Sequence, residues 1–200
     1  MVTLLEDIPT IFSKVGGPKA IFDKISIWNG DITKLKVDAI VNAANKQLAG
    51  GGGVDGAIHR AAGHSQLQAE CSKYDGCEVG DAVITSACKI SHVKNIIHTV
   101  GPQIRNSLTQ SHRDKLISCY RSSLELAVEN NLKSIAFCCI STGVYGYPND
   151  DAAETVSNFL VKWLKDSNKD DKITRIVLVT FLEVDDELYQ EHLKALAESD

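Results

Sequence analysis

An acidic side chain and an imidazole lie on one predicted helix, directly after a run of glycines. Residues 50–53 are all glycine, so this backbone carries no side chains and its N–H groups are exposed. Residues 55–62 have a helical pattern, and a glycine loop that leads into a helix N-terminus favours phosphate binding. Asp55 and His59 are four residues apart and share a face of this helix. This combination predicts a site that holds and cleaves a phosphate-bearing substrate.

The glycine run also fits part of two nucleotide-binding motifs. Gly51, Gly53 and Gly56 satisfy the dinucleotide pattern G-x-G-x-x-G, and Asp75 follows nineteen residues later. In a Rossmann unit the glycines follow the first strand almost at once, whereas residues 43–49 intervene here. A P-loop is excluded because no Lys-Ser or Lys-Thr pair follows the glycines.

A second loop of small residues argues against both motifs. Residues 141–146 read Ser-Thr-Gly-Val-Tyr-Gly and lie between an apolar predicted strand and a predicted helix. Loops at the carboxyl ends of strands can face each other across the crevice in which open α/β sheets bind ligands. The two loops are therefore predicted to hold a pyrophosphate from opposite sides.

Short apolar runs alternate with helical patterns along the chain. Strands are predicted over residues 24–29, 37–42, 81–86, 95–100, 134–140 and 175–181. Further helices are predicted over residues 113–130, 151–165 and 186–198. Several strands are apolar throughout, which indicates an α/β sheet covered on both faces. Residues 1–22 are expected to form an N-terminal extension that packs on a single domain of residues 23–200.

Composition narrows the class of protein. The chain has 200 residues, of which 44% are hydrophobic and 24% charged, as is typical of a soluble globular domain. A dispersed net charge of −5 argues against general nucleic-acid binding. No apolar run approaches about 18 residues, so we expect no membrane span. The six cysteines fit no zinc spacing, and we expect reduced thiols, a cytoplasmic or nuclear location and a monomer.

Four segments, in this order, resemble a macrodomain. They read Gly-Asp-Ile-Thr at 30–33, Val-Asp-Ala-Ile-Val-Asn-Ala-Ala-Asn at 37–45, Gly-Gly-Gly-Gly-Val-Asp-Gly at 50–56 and Ile-Ser-Thr-Gly-Val-Tyr-Gly at 140–146. The pair Asp55 and His59 resembles that of the MacroD-type ADP-ribosylhydrolases. The resemblance implies a three-layer α/β/α sandwich with a mixed, mostly parallel six-stranded sheet. It also implies a cleft for ADP-ribose at the crest of that sheet, with no metal and no cofactor.

The resemblance assigns roles to individual residues. Asp31 is expected to accept the adenine amino hydrogen with help from the Ile32 backbone, and Phe181 to stack on the adenine. The residues expected to hold the pyrophosphate are Gly51, Gly52, Gly53, Val54, Ser141, Thr142, Gly143, Val144 and Tyr145. The residues expected to surround the distal ribose and act in catalysis are Asn45, Asp55 and His59.

Hydrolysis of ADP-ribose esters is the activity that the resemblance implies. The expected partners are ADP-ribose, proteins that carry mono-ADP-ribose on Asp or Glu, and O-acetyl-ADP-ribose. Asp55 is expected to orient or deprotonate the attacking water; the alternative is that the substrate's own phosphate activates the water and Asp55 only positions it. A non-catalytic ADP-ribose reader and an ADP-ribose 1″-phosphate phosphatase are the alternatives. His98, within an apolar run, is interpreted as a core histidine.

Overall fold

The computed structural model describes residues 1–166 and 171–199. The strands are β1 (Thr3–Leu4), β2 (Ile25–Asn29), β3 (Leu35–Lys36), β4 (Ala39–Ala43), β5 (Ala82–Ser86), β6 (Asn95–Thr99), β7 (Ser134–Phe137) and β8 (Arg175–Thr180). The α-helices are α1 (Phe12–Val15), α2 (Lys19–Phe22), α3 (Gly53–Ala62), α4 (His64–Cys71), α5 (Gln110–Glu129), α6 (Asn149–Lys165) and α7 (Glu183–Glu198). Short 3-10 helices span Leu5–Asp7 and Ile32–Lys34.

Six strands form one sheet in the order β2-β8-β7-β4-β6-β5. All neighbours pair in parallel except β5 and β6, which are antiparallel. The prediction of a mixed, mostly parallel six-stranded sheet is therefore confirmed. β1 and β3 form a separate two-stranded parallel pair that the sequence patterns do not predict.

Different helices cover the two faces of the sheet. Tyr120 of α5 stacks on Phe137 of β7, with 4.5 Å between ring centroids, so α5 lies on the face to which Phe137 points. Val41 of β4 pairs with Phe137 and shares its face, and Asn42, one residue later, points to the opposite face. Asn42 is hydrogen-bonded to Asp55 of α3, which places α3 on that second face. The predicted three-layer arrangement is confirmed.

The central strands are buried along nearly their whole length. Every residue of β7 is buried, as are all but one residue of β4 and of β8. A strand with helices on both faces buries both sets of its side chains, which explains the nearly continuous apolar runs in the sequence. β7 ends at Phe137, three residues before the predicted end, because residues 138–140 already belong to the loop that precedes Ser141.

The first 22 residues contact the body of the domain at several points. The N–H of Ile11 donates to the carbonyl of Ile25 at 2.7 Å, and Arg175 Nη1 donates to the carbonyl of Ile8 at 3.1 Å. Phe22 is fully buried in the same hydrophobic core as the sheet. The division of the chain at residue 23 stays a prediction. Within the described part of the chain, no helix combines the length and the apolar character that crossing a bilayer requires.

Candidate active site

Four neighbouring parallel strands have their carboxyl ends on the same side of the sheet, which forms its crest. The loops after these strands carry most of the predicted site residues. Asp31 follows β2, Phe181 follows β8, residues 141–145 follow β7 and Asn45 follows β4. Since these strands are adjacent in the order β2-β8-β7-β4, the four loops lie side by side along the crest. Ligands of open α/β sheets bind at such a crest.

Asp55 lies in the first turn of α3 and is buried, with a relative exposure of 5%. Its Oδ1 accepts a hydrogen bond from Asn42 Nδ2 at 2.8 Å and lies 3.0 Å from His59 Nδ1. His59 Nδ1 also lies 3.0 Å from the carbonyl oxygen of Asp55. Because both neighbours of His59 Nδ1 are acceptors, this nitrogen carries the ring hydrogen. Asp55 Oδ1 therefore accepts from Asn42 and lies beside the N–H of His59, whose hydrogen bond goes to the Asp55 carbonyl.

The second carboxylate oxygen of Asp55 faces the glycine loop. A Cβ atom built on Gly51 would lie 3.5 Å from Asp55 Oδ2 and 3.9 Å from Asn45 Nδ2. Within the described residues no hydrogen bond to Oδ2 is formed. The carboxylate thus has one oxygen that is engaged by protein and one that is directed towards Gly51 and free to bind a ligand or a water.

The glycine loop leaves the N-terminus of α3 accessible. Gly52 is the N-cap of α3 and offers no side-chain hydrogen bond to the N–H groups of the first turn. Gly53 has a φ of +59°, which a residue with a side chain rarely adopts. A Cβ on Gly56 would lie 2.6 Å from the carbonyl oxygen of Gly51, so this glycine lets the loop approach the helix. The free N–H groups and the helix dipole together form a site for an anion.

Asn45 shapes the turn that leads into the glycine loop. Its Oδ1 accepts from the N–H of Ala49 at 3.0 Å, and its Nδ2 donates to the carbonyl of Gly50 at 3.3 Å. Asn45 is half-buried and lies on the same side of Gly51 as Asp55. The predicted trio Asn45, Asp55 and His59 therefore lies around one end of the glycine loop.

The loop after β7 is folded on itself. The N–H of Tyr147 donates to the carbonyl of Ser141 at 2.9 Å, and the N–H of Ile104 donates to the carbonyl of Tyr145 at 2.8 Å. Ser141 is buried with a φ of +69°, and its hydroxyl has no hydrogen-bond partner in residues 1–166 and 171–199. Val144 is 97% exposed at the tip. The N–H groups of Thr142, Gly143 and Val144 form none of the backbone hydrogen bonds found in this loop.

Asp31 and Phe181 lie at the other end of the crest. Asp31 Oδ1 accepts from the N–H and the hydroxyl of Thr33, at 2.9 and 2.7 Å, whereas its Oδ2 bonds to no described residue. Ile32, the next residue, is buried. Phe181 is 89% exposed, and Asn29 Nδ2 donates to its carbonyl at 3.4 Å. The chain therefore brings a free carboxylate oxygen and an exposed aromatic ring to two adjacent strand ends.

Asn42 is a site residue that the sequence predictions did not include. It is fully buried on β4, and its Nδ2 lies 2.8 Å from Asp55 Oδ1 and 3.1 Å from His98 Nδ1. The sequence signal for Asn42 is a polar amide within an otherwise apolar strand. A buried polar side chain needs hydrogen-bond partners, which marks this position as part of a polar contact. In the described part of the chain, no group of three or more His, Cys, Asp or Glu side chains is placed to hold a metal ion.

Comparison with known proteins places these features in a family. The sequence profile of the Macro domain matches residues 41–156. ADP-ribose glycohydrolase MACROD1 of Rattus norvegicus is 53% identical over 175 residues, which cover 88% of this chain and 66% of that protein. ADP-ribose glycohydrolase MACROD2 of Homo sapiens is 49% identical over 175 residues, which cover 88% of this chain and 40% of that protein. The chain thus spans 40% to 66% of the length of these relatives.

A solved structure has the same fold. The Trypanosoma brucei macrodomain, crystallised in complex with ADP-ribose, superposes with a TM-score of 0.83 at 37% sequence identity. The match covers 95% of this chain and 76% of that one. Because the Macro domain profile spans more than half of the residues and the fold agrees, this chain belongs to the Macro domain family.

Proposed function

We propose that the protein is a hydrolase that removes mono-ADP-ribose from acidic side chains of proteins and deacetylates O-acetyl-ADP-ribose. The observation that carries this proposal is the buried Asp55 carboxylate: Oδ1 accepts from Asn42 and lies 3.0 Å from His59 Nδ1, while Oδ2 faces the glycine loop. A protein that only binds ADP-ribose has no need of a buried carboxylate held in this way. The names of the relatives MACROD1 and MACROD2, both ADP-ribose glycohydrolases, support the proposal.

The two loops provide the binding energy for the pyrophosphate. The open N-terminus of α3 offers N–H groups on one side, and the loop over residues 141–145 offers them on the other. Backbone donors bind an anion without lysine or arginine, which accounts for a phosphate site in a protein of net charge −5. The distal ribose then lies beside Asn45 and Asp55, because both side chains border Gly51.

Asp55 acts on the attacking water in this account. Its Oδ2 accepts a hydrogen bond from the water and takes the proton as the water attacks the ester. Asn42 stabilises the carboxylate by donating to Oδ1, and His59 Nδ1 lies 3.0 Å from the same oxygen, so that Oδ2 keeps one direction. The second candidate mechanism leaves activation to the substrate's phosphate and gives Asp55 only the positioning of the water. Either mechanism requires no metal ligand from these residues.

Replacing Asp31 with alanine is expected to weaken ADP-ribose binding by about 1–3 kcal/mol, the range for a hydrogen bond to a charged group. Isothermal titration calorimetry measures this change. Asp31→Asn separates a loss of adenine binding from a loss of the hydrogen bonds to Thr33. Its amide oxygen can still accept from Thr33, as Asp31 Oδ1 does in the wild type. Its amide nitrogen then faces the adenine amino group as a second donor. Wild-type affinity in both variants would refute the adenine role.

Phe181→Ala is expected to weaken ADP-ribose binding by about 1–3 kcal/mol, the range for stacking of a base on an aromatic ring. The midpoint of thermal unfolding is expected to stay close to that of the wild type, because the ring is 89% exposed and contributes little to the core. Phe181→Tyr retains a stacking surface and is the matched control. Equal affinity of the alanine and tyrosine variants would contradict the stacking role.

A panel of three substrates tests the proposed activity against its alternatives. The substrates are a protein modified on glutamate, O-acetyl-ADP-ribose and ADP-ribose 1″-phosphate, and the product of each reaction is separated by chromatography. We expect turnover of the first two. Turnover of the phosphate alone would identify a phosphatase, and binding of ADP-ribose with no turnover of any substrate would identify a reader.

A further inference from the structure

A row of buried polar side chains continues from Asp55 across the second face of the sheet. Asn42 of β4 pairs with His98 of β6, and Thr85 of β5 lies on the far side of His98. These three residues have relative exposures of 0%, 1% and 5%, so their polar atoms need hydrogen-bond partners inside the protein. The row links the acidic residue of the proposed active site to an edge strand of the sheet.

The hydrogen bonds in this row can have only one direction. Asn42 Nδ2 has two hydrogens, which point to Asp55 Oδ1 at 2.8 Å and to His98 Nδ1 at 3.1 Å. The opposite amide orientation would place Asn42 Oδ1 against a carboxylate oxygen, and two acceptors repel. His98 Nδ1 is therefore the acceptor, and the neutral ring carries its hydrogen on Nε2.

The other end of the imidazole agrees with this assignment. His98 Nε2 lies 3.0 Å from Thr85 Oγ1, whose own hydrogen goes to the carbonyl of Ser86 at 3.0 Å. Thr85 Oγ1 is thus available as an acceptor for the hydrogen on Nε2. Burial lowers the pKa of His98 to about 3, and the nearby His59 acts in the same direction. The ring is neutral at physiological pH and carries no charge that would disturb Asp55.

Asn42 has no other anchor for its amide group. Its Oδ1 is buried and has no hydrogen-bond partner among residues 1–166 and 171–199. The two bonds of Nδ2, to Asp55 and to His98, therefore determine how the amide is turned. Without the acceptor on His98, the amide is held by the Asp55 carboxylate alone and can rotate together with it.

We propose that His98 is a positioning residue for the hydrolysis: it fixes the Asn42 amide, which in turn holds Asp55 Oδ1 and keeps Oδ2 directed at the cleft. The inference rests on the proposed function and extends the interpretation of His98 as a core histidine. His98 contacts no part of the substrate in this account. Its contribution is the direction of one carboxylate oxygen, and general-base catalysis depends on that direction.

Replacement of His98 by leucine tests this role. His98→Leu fills the space with an apolar side chain and removes the acceptor Nδ1. We expect kcat to fall about tenfold, as for the loss of one positioning hydrogen bond. The dissociation constant of ADP-ribose is expected to stay within about twofold of the wild type, since His98 lies behind Asp55. His98→Asn places an acceptor close to the position of Nδ1 and is expected to recover most of the lost kcat.

Two further variants separate positioning from general damage to the core. Thr99→Val changes an equally buried side chain, at the next residue of β6, which points to the other face, and removes its hydrogen bond of 2.8 Å to the carbonyl of Asp81. We expect it to leave kcat unchanged. In an Asn42→Ala background, His98→Leu is expected to cause no further loss, because the two residues act through one hydrogen bond. Additive losses would contradict the proposal.

Nitrogen NMR of the imidazole in the wild-type protein reports the same arrangement without any activity. We expect the signature of a neutral ring with hydrogen on Nε2, unchanged down to about pH 5. Hydrogen on Nδ1, a protonated ring at neutral pH, or wild-type kcat in a folded His98→Leu protein would each overturn the proposal. Absence of turnover in the wild type would instead overturn the proposed function, and the NMR result would still decide whether the hydrogen-bond row exists.

Discussion

Asp55→Ala is expected to lower kcat for ester hydrolysis by about a hundredfold or more, the contribution of a positioned general base. The variant loses the only carboxylate oxygen that faces Gly51 within the described residues, so no group remains there to accept the proton of the attacking water. ADP-ribose binding is expected to persist, because the backbone donors of the two loops are unchanged. Release of acetate from O-acetyl-ADP-ribose and calorimetry with ADP-ribose measure the two quantities separately.

Asp55→Asn distinguishes the two candidate mechanisms. Its amide oxygen takes the place of Oδ1 beside the Asn42 donor, so its NH2 group faces the cleft, where it can hold a water but cannot take a proton. A loss as large as that of Asp55→Ala identifies Asp55 as the base, whereas substantial remaining activity favours a water that the substrate's phosphate activates. Asp75→Ala, in an exposed loop, is the matched control and is expected to be fully active. Unchanged kcat in both Asp55 variants would remove Asp55 from the mechanism.

Gly51→Glu is expected to weaken ADP-ribose binding at least about a hundredfold, which corresponds to about 2.7 kcal/mol. The backbone tolerates a side chain here, since a Cβ would meet Asp55 Oδ2 and Asn45 Nδ2 only at ordinary contact distances of 3.5 and 3.9 Å. The rest of the glutamate then occupies the cleft and repels the pyrophosphate by its charge. Calorimetry measures the affinity, and thermal unfolding shows that the protein remains folded.

Ala49→Glu is the control for Gly51→Glu. It introduces the same charge two residues earlier, at an exposed position outside the predicted pyrophosphate site. We expect this variant to bind ADP-ribose with an affinity close to that of the wild type. If Gly51→Glu bound as tightly as Ala49→Glu, the glycine loop would not be the pyrophosphate site.

Most of the sheet could be predicted because buried parallel strands leave a clear pattern. The apolar runs before residues 43, 138 and 181 correspond to β4, β7 and β8, which are almost fully buried. The pair β1 and β3 was missed because two-residue strands carry no periodicity. Helix α4 was missed because its first turn, His64 to Gln66, is polar and its apolar face is confined to Leu67 and Cys71.

The residues at and behind the site differ in whether a local sequence pattern reveals them. The glycine run and the spacing of Asp55 and His59 are local, so the sequence displays them directly. Asn42 and His98 are 56 residues apart and meet through the pairing of β4 with β6, which no local pattern reveals. The roles of Asn45, Asp31 and Phe181 in binding stay predictions, since they depend on a substrate as well as on the fold.

Release of ADP-ribose from an ADP-ribosyltransferase that has modified itself on glutamate is the most direct test of the proposed function. The wild-type protein is incubated with the modified enzyme, and free ADP-ribose is measured over time beside the Asp55→Ala variant. We predict rapid release by the wild type and almost none by the variant, although both bind ADP-ribose in calorimetry. No release by the wild type, with ADP-ribose still bound, would contradict a hydrolase and identify the protein as a reader of ADP-ribose.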